Sequence, residues 1–156
     1  MSMVMINPLK TCAVTGHRTL YKDFDRDKLK NVFLKLIEQK INTFLVGMAI
    51  GFDTECFKVL EEIRKEKEIY IIGCIPCKNQ DYKFNLSQKK EYERLKKEAD
   101  DLILVSENYS TYCMQKRNRF MVDNCFVLVS YLRKNTGGTF YTVKYAEKVG
   151  IPIINI

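Results

Sequence analysis

With 156 residues, 46% of them hydrophobic and nine each Phe and Tyr, the chain has enough apolar mass for one packed domain and too little length for several. The formal charge of +7, from 26 Lys and Arg against 19 Asp and Glu, favours polyanions or phosphorylated small molecules as partners. No apolar run reaches the roughly 18 residues that span a bilayer, and the start of the chain lacks the basic-then-apolar order of a secretory leader; a single soluble, cytoplasmic domain over 1–156, with no membrane partner, is expected.

Short β-rich apolar runs alternate with amphipathic segments, the pattern of βαβ units around a parallel sheet. The first run is TCAVTG at 11–16, followed by a helix in which Leu29, Val32, Phe33, Leu36 and Ile37 recur at helical spacing. TFLVGM at 43–48 leads through GMAIGFD into a second helix with Phe52, Cys56, Val59, Leu60 and Ile63 inward. IYIIGCIP at 69–76 ends in a polar loop over 77–86, and a helix over 87–98 precedes the strand DLILVS at 101–106. A helix over 114–123, CFVLVSY at 125–131, a helix over 139–149 stopped by Gly150 and Pro152, and IPIINI at 151–156 complete the chain. All the strands but the last are nearly continuous in apolar residues, as strands covered on both faces must be. The expectation is an α/β, three-layer, Rossmann-like fold: a mostly parallel sheet of about six strands with helices on both faces. In EEIRKEKE and KKEYERLKKEAD both signs alternate at helical spacing, so much of the charge decorates solvated helix faces.

Six cysteines sit mostly inside apolar runs, where a reduced thiol behaves as a small hydrophobe. Cys74 and Cys77 in GCIPC have redox or metal spacing, but they close a strand instead of opening a helix and no second pair accompanies them, so core packing is expected and no metal or cofactor.

In an open parallel sheet, ligands bind beyond the carboxyl ends of the strands. That nominates TGHR (Thr15, Gly16, His17, Arg18), GMAIGFD (Gly47, Gly51, Asp53), the segment 106–123 (Arg117, Asn118, Asp123) and RKNTGGT (Gly137, Gly138, Thr139). Together they carry what a phosphorylated ligand requires: glycines that let backbone N–H groups approach, helix N-termini, and guanidinium groups for bidentate contact. Arg18 and Arg117 are expected to meet the anion. His17, the lone histidine, either donates to phosphate or ribose or fixes its turn. Asp53 either caps the helix that follows or accepts from a ribose or base. Met114 and Met121 read as core, and Tyr109 and Tyr112 as aromatics able to stack on bases, line the pocket or pack under a loop.

In this order and spacing, AVTGHR, GMAIGFD, MQKRNRFMVD and GGT, spanning 13–139, resemble the SLOG superfamily of Rossmann-like nucleotide-binding domains, above all its small YspA-like and YpsA-like bacterial members. That superfamily includes the LOG phosphoribohydrolases, which release cytokinin bases from nucleoside monophosphates, the DprA proteins, which bind single-stranded DNA, and sensors of nucleotide-derived signals. The hydrolases carry an arginine in a Met-rich helix, matched by Arg117, and paired glutamates soon after their glycine loop. Here Phe140, Tyr141 and Thr142 follow Gly138 and Thr139, and the next acid is Glu147. N-glycosidic cleavage passes through an oxocarbenium-like state that a carboxylate stabilises, which leaves Asp53 and Asp123 as the candidates for such a role. The resemblance therefore implies binding or sensing of a nucleotide or nucleotide-derived ligand, ADP-ribose-like or a nucleoside phosphate. LOG-type hydrolysis or transfer and DprA-type binding of single-stranded nucleic acid are the alternatives, and a homodimer is implied by the same resemblance.

Overall fold

Each expected apolar run forms a strand. In the computed structural model, which describes residues 5–156, β1 (Thr11–Gly16), β2 (Thr43–Val46), β3 (Tyr70–Ile75), β4 (Asp101–Leu104), β5 (Val127–Tyr131) and β6 (Ile153–Asn155) form one sheet. Its order is β4-β3-β2-β1-β5-β6 and every neighbouring pair is parallel.

Successive strand residues point to opposite faces, and both faces are covered. Cys12, Val14, Phe44, Val46, Ile71 and Val129 share one core with α1 (Arg26–Glu38), α2 (Phe52–Arg64) and α3 (Leu86–Glu98). Ala13, Leu45, Ile72, Cys74 and Leu128 share the other with α4 (Cys113–Asp123) and α5 (Gly138–Val149). The result is a helix–sheet–helix sandwich. β4 departs from the continuous burial its sequence led us to expect: it lies at the sheet edge, its residues alternate between half-buried and exposed, and Leu102 and Leu104 face solvent. Helix α4, which follows it, packs over β1 and β3 instead.

The chain steps outward from β1 to β4 and then crosses back to place β5 on the other side of β1. Loops leaving β1 and β5 therefore diverge and open a crevice between them. Helix starts differ around this crevice. Asp25 caps α1, and Asn85 with Gln88 forms a reciprocal capping box on α3. By contrast, α2 and α5 start after Gly51 and Gly137 with no side-chain cap. Among the described residues no helix is long and apolar enough to cross a membrane.

Candidate functional site

All the nominated residues except Gly51 and Asp123 line one cleft of about 300 Å³ at the β1–β5 crevice. Gly51 lies on the far side of its loop, facing a groove between α2 and α3. Its φ of 80° is one that few other residues adopt, and a Cβ there would come within 2.3 Å of the Arg18 carbonyl oxygen. Its place is to let the β2–α2 loop pack against the β1 loop. Asp123 is the last residue of α4, where its Oδ1 accepts a 2.7 Å hydrogen bond from the Tyr145 hydroxyl. Of the two carboxylate candidates, Asp53 alone is in the cleft.

Asp53 and Arg117 form the cleft's buried floor, with 7% and 5% of their surface accessible. Gly47 sits between them, since a Cβ on it would lie 2.9 Å from both the Arg117 guanidinium carbon and Asp53 Oδ2. Asp53 does not cap α2. Its Oδ2 instead accepts from the Ala49 N–H at 3.1 Å, which closes the loop around Met48, a residue held at a left-handed φ of 65°. Burial raises the Asp53 carboxyl to about 6, although Arg117, the Ala49 N–H and Arg18 all pull it down. Arg117 spends most of its donors on the protein: Nη1 donates to the Gly47 and Cys74 carbonyls, and Nε donates to Asn118 Oδ1 at 2.8 Å. Arg117 lines the cleft where the sequence nominated it, and it also ties the ends of β2, β3 and α4 together.

His17 joins the two loops across the crevice. Its Nε2 accepts from the Arg133 N–H at 2.8 Å, which leaves the proton of the neutral ring on Nδ1. Burial, Lys134 and Arg133 all lower its pKa, so the ring is held neutral. Nearby, the Tyr131 hydroxyl donates to Asp23 and accepts from the Tyr21 N–H, and Arg133 bonds Asp23 at 2.7 Å. Phe52 stacks on Tyr131 beneath, so the β1 loop rests on an aromatic base.

The fourth loop opens the cleft's positive end. Gly137 (φ 94°) turns the chain into α5, whose first N–H groups have no acceptor within the helix and no side-chain cap. Nothing lies within 4 Å of where a Cβ would stand on Gly137 or Gly138. Two cations, Arg18 and Lys134, line the same space, are exposed, and make no ion pair or hydrogen bond through their side chains among the described residues. A helix N-terminus, an open glycine pair and two exposed cations suit a phosphate-sized anion. The Thr142 hydroxyl donates to the Gly138 carbonyl at 2.8 Å, so of the three residues that stand where the hydrolases keep their glutamates, Thr142 is spent on the helix itself, whereas Tyr141 is exposed.

Sequence reasoning missed Lys134, Tyr21 and Gln80. Lys134 stood within a nominated loop and could have been read there. Tyr21 reaches the cleft because its N–H is held by Tyr131, 110 residues away. Gln80, in the polar loop after β3, donates to the Gly47 carbonyl at 2.9 Å and is itself held by Tyr92. Met121 is core as expected and also touches the cleft, Met114 is half-buried on the cleft wall, and Tyr109 and Tyr112 are exposed outside it. All six cysteines are free and buried. Cys77 Sγ lies 3.6 Å from Cys113 Sγ, so its thiol neighbour comes from α4 and not from the GCIPC spacing. No cluster of three or more metal-ligating side chains is found among the described residues.

This geometry has relatives. The fold is similar to DNA processing protein A of Streptococcus pneumoniae, with a TM-score of 0.67 at 17% identity over 93% of this chain. It is also similar to DNA processing protein A of Helicobacter pylori, described for its single-stranded DNA binding mode, with a TM-score of 0.66 at 15% identity over 94% of this chain. The chain spans 49% and 64% of the lengths of those two proteins. In sequence it is 31% identical over 141 residues to the uncharacterized SPbeta prophage-derived protein YoqJ of Bacillus subtilis (strain 168), covering 78% of this chain and 81% of that one. The family model described as the YspA SLOG family matches residues 22–151, which hold every nominated loop but TGHR, and the chain belongs to that family.

Proposed function

We propose that the cleft binds a nucleotide or nucleotide-derived ligand through its phosphate, with the phosphate at the N-terminus of α5. The observation that carries this reading is the open Gly137–Gly138 start of α5 facing the exposed Arg18 and Lys134, whose side chains make no ion pair among the described residues. Backbone N–H groups and the helix dipole meet the anion there, and the two cations neutralise it. Tyr21, half exposed at the same cleft, offers a ring to a base or ribose, and the His17 Nδ1–H offers a donor. Arg117 contributes its positive field and holds the floor. Membership of the SLOG family agrees with this chemistry.

Calorimetric titration with orthophosphate, AMP and ADP-ribose tests the reading. Binding that is lost in Gly138→Val, while the unfolding transition stays in place, is expected. A folded protein that takes up none of the three at millimolar concentration would overturn it.

One observation favours a second reading, hydrolysis or transfer at an N-glycosidic bond. Asp53 lies on the cleft floor with its carboxyl raised to about 6, a value suited to exchanging protons near neutral pH. Chromatography for free base after incubation with nucleoside monophosphates checks it. The absence of base at enzyme-like protein concentrations, with binding intact, would remove this reading and leave the first.

A further inference from the structure

A second cavity of about 280 Å³ lies between α4 and α5 and borders the cleft, for both are lined by Asn118 and Gly138. Three cations, Arg119, Lys144 and Lys148, line it, with no acidic side chain among its lining residues. Two tyrosines give it flat apolar walls: Tyr141 is 57% exposed, and Tyr145 carries the Arg119 guanidinium 5.0 Å above its ring. Lys144 is partly engaged by Glu147 at 3.7 Å, whereas Lys148 has no ion pair among the described residues.

Asn118 stands on the divide. Its Oδ1 is taken by Arg117 Nε–H at 2.8 Å, so the amide is oriented and its two N–H donors are left over where the two cavities meet. Gly138 adds a backbone approach on the opposite wall, with open space where a side chain would stand. A ligand whose first phosphate sits at the start of α5 therefore continues past an amide donor into a basic, tyrosine-walled groove.

We propose that the α4–α5 groove is a second subsite of the same ligand, built for a further phosphate-bearing unit, so that the protein prefers nucleotides of more than one unit over mononucleotides. This rests on the cleft reading above. The required chemistry is shared by a linear dinucleotide and by a pyrophosphate-linked nucleotide sugar, since each places added negative charge and a second sugar beyond the first phosphate. Positive charge with an aromatic face is what such a unit meets in the groove.

Titration of AMP, the 5′-phosphorylated dinucleotide pApA and ADP-ribose into the wild-type chain and into the double variant Arg119→Ala/Lys148→Ala tests it. Both side chains are exposed, so the variant keeps its fold, which circular dichroism verifies. At least one longer ligand is expected to bind wild type ten-fold or more tightly than AMP, to lose about ten-fold in the variant and to lose its advantage as salt is raised, with AMP unchanged within two-fold. Which ligand gains the advantage identifies the linkage. Longer ligands that bind no tighter than AMP would overturn the subsite and leave the cleft reading standing. A variant that shifts the sedimentation coefficient without changing the ratio of affinities would assign the groove to a second copy of the chain. Failure of all three ligands to bind wild type would overturn both readings.

Discussion

Asp53→Asn is the substitution whose effect depends most directly on the site geometry. The carboxyl is buried beside Gly47, and burial outweighs the pull of Arg117 to raise it from 3.8 to about 6. An acid with a raised folded pKa holds its proton more tightly in the native state than in the unfolded chain. The stability it contributes is complete below its unfolded value and is lost as the pH rises through about 6. A shift of about two units at roughly 1.4 kcal/mol each corresponds to about 3 kcal/mol. Asparagine keeps an oxygen for the Ala49 N–H and does not titrate. Relative to wild type, Asp53→Asn should therefore gain about 3 kcal/mol between about pH 3.5 and about pH 7.5, most of it before pH 6.5. Urea unfolding followed by circular dichroism at half-unit steps of pH gives the difference curve. A flat curve would show that the carboxyl is not desolvated; a curve that falls with pH would show that Arg117 holds it as a strong ion pair and that its pKa is depressed.

Two glycines of the cleft should respond in opposite ways to alanine. Gly47→Ala drives a methyl into Arg117 and Asp53 and should cost roughly 1–3 kcal/mol, whereas Gly138→Ala meets nothing within 4 Å and should leave the urea midpoint unchanged while weakening phosphate binding. Equal midpoints for the two variants would contradict the packing described. Arg117→Lys should lower stability by about 1–3 kcal/mol, because one ammonium cannot serve the Gly47 and Cys74 carbonyls and Asn118 together; unchanged unfolding with lost binding would instead place Arg117 on the ligand.

Much of the architecture was legible locally. The helices at 26–38 and 52–64 bury the stripes their spacing marks, with Leu29, Phe33 and Leu36 in one and all five inward residues in the other. Every strand formed within a few residues of its apolar run. β4 misled because DLILVS has the composition of a covered strand, and only the sheet order reveals that it is an edge. The four loops were legible for a related reason: glycine and polar residues after an apolar run mark the strand ends, and parallel strands put those ends on one side.

The roles within the loops were not legible. Arg117, Asp53 and Gly51 have the same residue types whether they face a ligand or the protein. Arg117 turns to two carbonyls from other strands, Asp53 turns back to Ala49, and Gly51 makes room for the Arg18 backbone. Periodicity, turn chemistry and composition thus determined a doubly covered parallel sheet with a glycine-rich, basic rim. Tertiary structure alone decided that β1 and β5 are the neighbours that open the crevice, and which charges are left free in it. The physical reason is that hydrophobic patterning is read residue by residue along the chain, whereas a buried charge takes the partner that folding brings within hydrogen-bonding distance.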